Sequence, residues 1–364
     1  MRAVAAFIAV FASLAATAAS LPEFPPNAVW SRDVIQAPLN ANSAAMISAT
    51  GGWGNGNTFQ IDQSMHVIHV SAANEGSVPK AAVVDGPYGY TSPDCEPEAG
   101  LMFPLPVGGA IEGSTNYTCD NANNDCHLFV VLDGSRKLYE SYQSNVVGGQ
   151  LQSGCVIVWD LNKVYPPQGR GEQCTSTDAA GFPVASLLFN ADEVYAAIQS
   201  GGDLGHAIRF VLPNASMASL PPVPPSTKRQ GLYVHPASHG GAPSGASNKL
   251  PYGSRLRLKA AYNISGYSAA AQAVLRTMKR YGIVLADGGN IALTAEDDMF
   301  TTHKWAEFGF DEINTYMEQM LIGVQLTDFE VVETGPQIPL TYDCDTNGNH
   351  LTPADFDFID GFDY

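Results

Sequence analysis

The sequence predicts a mainly β protein, an antiparallel β-sandwich or jelly roll with a few short helices. Short runs rich in Val, Ile, Tyr and Phe are separated by clusters of Gly, Pro, Asn and Asp over most of the chain, which is typical of such folds. The 364 residues include 35 Gly and 24 Pro, and only 15% are charged. We therefore expect one irregular β-rich domain over residues 21–340.

Nine runs have the length and composition of strands, and fewer segments indicate helices. The best helix spans residues 268–282, with Ser268 as its N-cap, and weaker ones span 190–202 and 311–321. Residues 217–253 are rich in Pro, Gly and Ser, which predicts a long loop folded over one sheet rather than a flexible linker. The predicted strands are 59–70, 81–86, 127–132, 137–142, 155–161, 205–212, 255–262, 282–287 and 329–334.

The N-terminal residues 1–20 are predicted to be a secretory signal. A basic Arg2, a short apolar stretch and the small residues Ala16 to Ala18 fit a signal peptidase site, and the apolar stretch is shorter than a membrane span. The net charge of −18 argues against nucleic acid as a partner. We expect a secreted, extracellular monomer without membrane contact after cleavage. N-x-S/T sequons at Asn116, Asn214 and Asn263 permit glycosylation.

The six cysteines predict three disulfides in a secreted chain. Cys119 and Cys126 are spaced to close a small loop. Cys155 and Cys174 form a second local candidate pair, which leaves Cys95 with Cys344.

The acidic tail 341–364 resembles a calcium loop of the EF-hand or dockerin kind. Asp343, Asp345 and Asn347 stand at alternate positions and precede a glycine. The pattern then departs, because Ala354 stands where the closing carboxylate belongs. The tail therefore predicts either a Ca²⁺ site or an acidic turn without an ion; no other cofactor is expected.

The stretch 127–143, HLFVVLDGSRKLYESYQ, predicts a hairpin around a Asp-Gly-Ser-Arg turn. With an even loop Leu132 faces Lys137, and alternation leaves an apolar core face and a second face. A carboxylate among aromatic rings suits a sugar cleft, where apolar surroundings raise its pKa toward that of a general acid. The alternative is that Glu140 is a solvated surface residue, and an odd loop would change its neighbours. The second face carries His127, Phe129, Val131, Leu138, Glu140 and Tyr142.

Glycoside hydrolysis needs a second carboxylate roughly 5 to 9 Å from the first. Glu112, between a Gly pair and a Gly-Ser turn, is the best candidate. Asp133 and Asp160 lie at strand ends, where turn capping is the alternative role. The pair predicted to act in catalysis is therefore Glu140 with Glu112, with His127 and Tyr142 beside them as substrate-binding groups.

Three histidines offer another chemistry. His235 and His239 are four residues apart in HPASHGG and, with His206, would make a three-His metal site. Pro236 and the glycines argue against a shared helix, so the spacing does not place them on one face. His206 and His239 are alternatively general bases or substrate contacts.

Three cations alternate with apolar residues in SRLRLKAAYN. Arg255, Arg257 and Lys259 would line one strand face in a chain with only 18 Lys and Arg. Such a face is either solvated or a binding site for the carboxylates or sulfates of an acidic polysaccharide. The second alternative would favour β-elimination over hydrolysis.

Several segments together resemble a family of secreted, largely uncharacterised bacterial and eukaryotic proteins. The resemblance runs from about Pro26 to Glu333 and implies one extracellular domain, but it implies no activity and no catalytic residue. The segments are AIEG, HLFVVLDGSRKLYESY, TSTDAAGFP, GHAIRF and RLRLKAAYNISGYSAAAQAVLRTMKRYGIVLADGG.

The sequence as a whole predicts a protein that acts on extracellular polysaccharide, with glycoside hydrolase as the leading hypothesis. A polysaccharide lyase that uses the Arg255 to Lys259 stripe is the second. A carbohydrate-binding or wall-associated protein without catalysis is the third.

Overall fold

A computed structural model describes residues 21–346 except 92, 223, 225, 226, 311–316 and 318. The helices are α1 (Ser43–Thr50), α2 (Gly54–Asn57), α3 (Ala191–Ser200) and α4 (Ala269–Arg280). The strands are β1 (Ile61–Met65), β2 (Val67–Val70), β3 (Lys80–Asp85), β4 (Met102–Pro104), β5 (Leu128–Leu132), β6 (Lys137–Tyr142), β7 (Asn145–Val147), β8 (Gln150–Ser153), β9 (Cys155–Asp160), β10 (Ile208–Leu212), β11 (Ser219–Leu220), β12 (Gln230–Tyr233), β13 (Arg255–Leu258), β14 (Ile283–Gly288), β15 (Leu293–Glu296), β16 (Phe329–Val331) and β17 (Ile338–Pro339).

The described part of the chain is mainly β with a few short helices, as the sequence predicts. Its strands form four sheets, in the orders β1-β15-β10-β14-β13-β16, β2-β5-β6-β9, β4-β3-β8-β7 and β11-β12-β17. The sheets are not purely antiparallel, because β1 pairs with β15, β10 with β14, β2 with β5 and β3 with β8 in parallel. The predicted strand 59–70 breaks at His66, where the chain leaves one sheet for the next.

Local signals placed the two main helices well. Ser268 caps α4 by accepting a hydrogen bond from the backbone of Ala271, and Asn190 caps α3 through Glu193 in the same way. Amphipathic α4 packs against α3 and β13. Most of the predicted helix 311–321 lies outside the described residues, which in this range are 317 and 319–321.

The hairpin of β5 and β6 has the predicted register, with Leu132 opposite Lys137 and Phe129 opposite Glu140. Both faces of its sheet are covered, however. The predicted core face, with Leu128 and Tyr139, packs into a smaller core shared with the β4-β3-β8-β7 sheet. The second face, with Phe129, packs into the larger core beneath the six-stranded sheet. The alternation of side chains along the strands predicted which residues share a face, but it does not show what covers that face.

The structure has three disulfides among its described cysteines, and only one has the predicted partners. Cys119 pairs with Cys126 as expected. Cys155 pairs with Cys95 rather than Cys174, and Cys174 pairs with Cys344. The reason is that residues near Cys95 hydrogen-bond to the start of β9, while Glu172 bridges to Asp345, so distant segments run side by side.

Residues 217–253 are less irregular than predicted. They contain β11 and β12, which form a small sheet with β17. Among the described residues, no helix has the length and apolar character needed to cross a bilayer.

Candidate active site

Strand β1 presents Asp62 and Ser64 on the half-exposed face, while Ile61 and Gln63 are buried. The backbone N–H of Ser64 donates to Oδ1 of Asp62 at 3.0 Å. The Ser64 hydroxyl donates to Oε1 of Glu112 at 3.1 Å. One serine therefore joins a carboxylate of β1 to a carboxylate in the loop before β5.

Glu112 and His127 form an ion pair supported by the backbone. The backbone N–H of Glu112 donates to the carbonyl of His127, and the backbone N–H of His127 donates to Oε2 of Glu112 at 3.0 Å. Nδ1 of His127 also lies 2.8 Å from Oε2. The imidazole is buried, whereas the Glu112 side chain is 16% exposed. The carboxylate therefore reaches solvent while its partner does not.

The His127 ring is held as an imidazolium. Nε2 lies 3.2 Å from the carbonyl oxygen of Thr177, which can only accept, so both ring nitrogens face acceptors. Burial lowers the pKa of His127, but the charge and hydrogen bond of Glu112 outweigh it and raise the pKa to about 9. His127 thus stays positively charged near neutral pH and serves Glu112 as a fixed counter-ion.

The two carboxyl groups at Ser64 have pKa values displaced in opposite directions. Burial raises the pKa of Glu112, but the charge and hydrogen bonds of His127 reverse this and lower the pKa to about 2. Burial raises the pKa of Asp62, and the nearby charge of Glu112 adds to that rise. Neighbouring carboxyl groups with opposed pKa shifts are typical of enzyme sites in which one acts as acid and the other as ionised base or nucleophile.

Two cavities meet at Ser64, and the linings of both contain Ser64, Gly113 and Ser114. The larger has a volume of about 620 Å³ and the smaller about 360 Å³. No Lys or Arg of the described chain lines either cavity. The lining carboxylates are Glu112, Asp120 and Asp125 in the larger cavity and Asp62, Asp297 and Asp298 in the smaller.

Glu140 lies on the predicted face but in the core, with 0% exposure. Its Oε2 accepts from Trp159 Nε1 and Thr177 Oγ1, both at 2.9 Å, and its Oε1 accepts from the Ala185 backbone at 2.8 Å. Burial raises the pKa of Glu140, and these hydrogen bonds oppose the rise. In this conformation no substrate atom can reach Glu140. Its assignment as a catalytic acid stays a prediction, and the geometry favours a supporting role.

Thr177 links Glu140 to the cavity wall. Its hydroxyl donates to Glu140, and its carbonyl accepts from His127. Tyr142, the other predicted neighbour, is half-buried, and its hydroxyl lies 3.3 Å from Oδ1 of Asp125. The structure therefore brings Glu112, His127 and Tyr142 to one site and places Glu140 behind them.

A buried guanidinium beside Asp62 was missed by the sequence reasoning. Arg209 of β10 lies 3.1 Å from Asp178 and 3.8 Å from Asp287, and it donates to Thr294, the neighbour of Asp62 in the sheet. Burial raises the pKa of Asp287 despite Arg209, and the Asp287 side chain is 34% exposed. The signal was an Arg inside an apolar strand, which requires a carboxylate partner.

The structure does not bring the three histidines together. His206 contacts Glu193, His235 contacts Glu172, and His239 contacts the Ala179 carbonyl. Burial lowers the pKa of His239. Within the described ranges, no group of three or more His, Cys, Asp or Glu is placed to hold a metal ion.

The predicted cation stripe is used within the chain. Arg255 is buried and donates to three backbone carbonyls, Arg257 pairs with Glu330, and Lys259 donates to the Thr327 carbonyl. Arg255 lines a different cavity, which shares no lining residue with the two at Ser64. The stripe is therefore not part of this site.

The remaining predicted residues are the turn candidates Asp133 and Asp160 and those of the acidic tail. Asp133 lies 2.8 Å from His69, and Asp160 pairs with Lys137 and accepts from the Asn162 backbone. Asp345 forms an isolated β-bridge with Glu172. Asp343 forms no ion pair with the described residues, and Asn347 lies outside them. Calcium binding by the tail stays a prediction.

No known protein family, no curated protein and no solved structure matches this chain.

Proposed function

We propose that the protein is a secreted glycoside hydrolase that acts on extracellular polysaccharide through Asp62 and Glu112. One observation carries the proposal: a single serine holds two carboxyl groups, one with a raised and one with a lowered pKa, where two cavities meet. Protonated Asp62 would donate to the leaving oxygen. Ionised Glu112 would act as nucleophile or as base for water.

The dimensions of the site support a sugar polymer. Two adjoining cavities that share a wall suit the units on either side of a scissile bond. Their lining residues include hydroxyl, amide and carboxylate side chains, which are the partners that sugar hydroxyls use. The described disulfides support secretion, because such bonds persist in oxidising compartments.

The lyase alternative finds less support at this site. Elimination from a uronate needs a cation to neutralise the sugar carboxylate, and the described linings of both cavities contain no Lys or Arg. A binding protein without catalysis remains the contrasting outcome, since it would use the same cavities.

The test is to incubate the secreted protein with neutral, acidic and amino-containing glycans, following reducing ends and the absorbance of unsaturated uronates. Hydrolysis predicts new reducing ends without that absorbance. Glu112→Gln should lower the rate by about 10²- to 10⁴-fold, while the exposed control Glu333→Gln should not change it. Glycan binding without cleavage of any polymer would refute the proposal.

A further inference from the structure

The smaller cavity contains polar groups that the proposed chemistry does not use. Asp297 and Asp298 line it together with Asp62, and each is anchored by one backbone hydrogen bond, from Met299 and Trp305 respectively. These bonds fix the carboxylates in place. The described lining of this cavity therefore contains three carboxyl groups, and it contains no Lys or Arg that would compensate their charge.

His66 adds a buried atom without a hydrogen-bond partner. The side chain is 5% exposed, and Nε2 donates to the Ser114 carbonyl at 2.9 Å. Nδ1 has no hydrogen-bond partner among the described residues, and Oδ1 of Asp297 lies 3.4 Å from it. When Nε2 carries the ring proton, Nδ1 is an acceptor beside a second acceptor.

Gln63 adds a second such atom. It also lines the cavity, is 6% exposed, and its Oε1 has no hydrogen-bond partner within the described chain. A buried polar atom without a partner costs free energy that a ligand donor recovers. These two orphaned atoms therefore point to a bound group, because an acidic lining by itself does not.

We propose that this cavity binds the ammonium group of a 2-amino-2-deoxy sugar, so that the substrate is a polycationic amino glycan. An ammonium supplies three donors and one positive charge, which match the unpartnered acceptors and the carboxylates around them. A neutral sugar would leave the charge unmatched, and a uronate would be repelled. That the amino glycan is a substrate rests on the proposed function. Binding of the ammonium group in this cavity does not require catalysis.

The test uses a matched pair of ligands, the tetrasaccharide of glucosamine and that of N-acetylglucosamine, which differ in whether the nitrogen is charged. Binding is measured by calorimetry near pH 6 on Glu112→Gln, which prevents turnover. The glucosamine tetrasaccharide should bind at least tenfold more tightly. Asp297→Asn in the same background should reduce that preference to less than threefold, and Gln63→Leu should weaken binding severalfold. The control Asp33→Asn, in a separate cavity, should retain it.

Three results would overturn the inference. These are equal affinity for both ligands, a preference that survives Asp297→Asn in a protein of unchanged melting temperature, and a melting temperature raised by Ca²⁺ or Zn²⁺ but not by the amino sugar. Preferential binding without cleavage by the unmodified protein would support the inference and refute hydrolysis.

Discussion

Glu140 and Asp62 are two carboxyl groups whose pKa values burial raises, in two different settings. Glu140 lies in the core with 0% exposure, and three donors occupy its oxygens. Asp62 lines a cavity and shares Ser64 with an ionised Glu112. A raised pKa therefore marks burial, whereas access and a second carboxylate indicate a site for chemistry.

The largest expected effect is at Asp62. Asp62→Asn removes the proton donor but keeps the oxygen that accepts from Ser64, so kcat/KM should fall by about 10²- to 10⁴-fold. Because burial disfavours the charge of Asp62, the neutral amide should keep the melting temperature within a few degrees. Asp133→Asn is the control. Activity within a few fold of the unmodified protein would remove Asp62 from the mechanism.

Glu140→Gln should affect stability rather than activity. The amide has one acceptor oxygen where three donors converge, so at least one buried donor loses its partner. We expect the free energy of unfolding to fall by about 2–3 kcal/mol, measured in urea, with kcat/KM within a few fold. An activity loss of orders of magnitude with unchanged stability would restore Glu140 as the catalytic acid.

The Glu112–His127 pair should stabilise the fold within a defined pH window. The pKa of His127 rises from 6.5 to about 9, so its contribution is complete below 6.5 and is lost as the pH rises through 9. The pKa of Glu112 falls from 4.5 to about 2, so its contribution is complete above 4.5 and is lost as the pH falls through 2. Both are complete between about pH 4.5 and 6.5.

Urea unfolding of the protein and of His127→Gln, compared from pH 5 to 10, measures this window. The difference in unfolding free energy should decrease by about 2–3 kcal/mol between pH 6.5 and 9, since each pKa unit corresponds to about 1.4 kcal/mol. A difference that does not vary with pH would mean that His127 is not charged in the fold.

The smallest effect should be at Ser64. Ser64→Ala removes the hydroxyl that donates to Glu112, while its backbone N–H still holds Asp62. One hydrogen bond to a charged group is worth about 1.5 kcal/mol, so kcat/KM should fall about tenfold. Ser64→Thr keeps a hydroxyl and should recover most of the rate. Ser64→Gly lacks the hydroxyl, as Ser64→Ala does, so the two variants separate the role of the hydroxyl from that of the backbone.

The hairpin register and the α4 cap followed from local rules, alternation along a strand and side-chain capping, so the sequence predicted them. The pairing of Cys95 with Cys155 did not, because it depends on which distant segments lie side by side. The same holds for the site. Glu112 and His127 were candidates, but Asp62 was not, because IDQSM places three polar residues in a row and no alternation of polarity distinguishes one of them. Its importance depends on the loop that carries Glu112 folding across β1.

The Cys119–Cys126 disulfide lies at the larger cavity. Both cysteines line the larger cavity, and the chain between them contains no strand or helix of its own. Covalent closure therefore shapes one wall of that cavity. Without that bond, residues 120–125 would lose their covalent closure, and this wall of the cavity would lose its fixed shape.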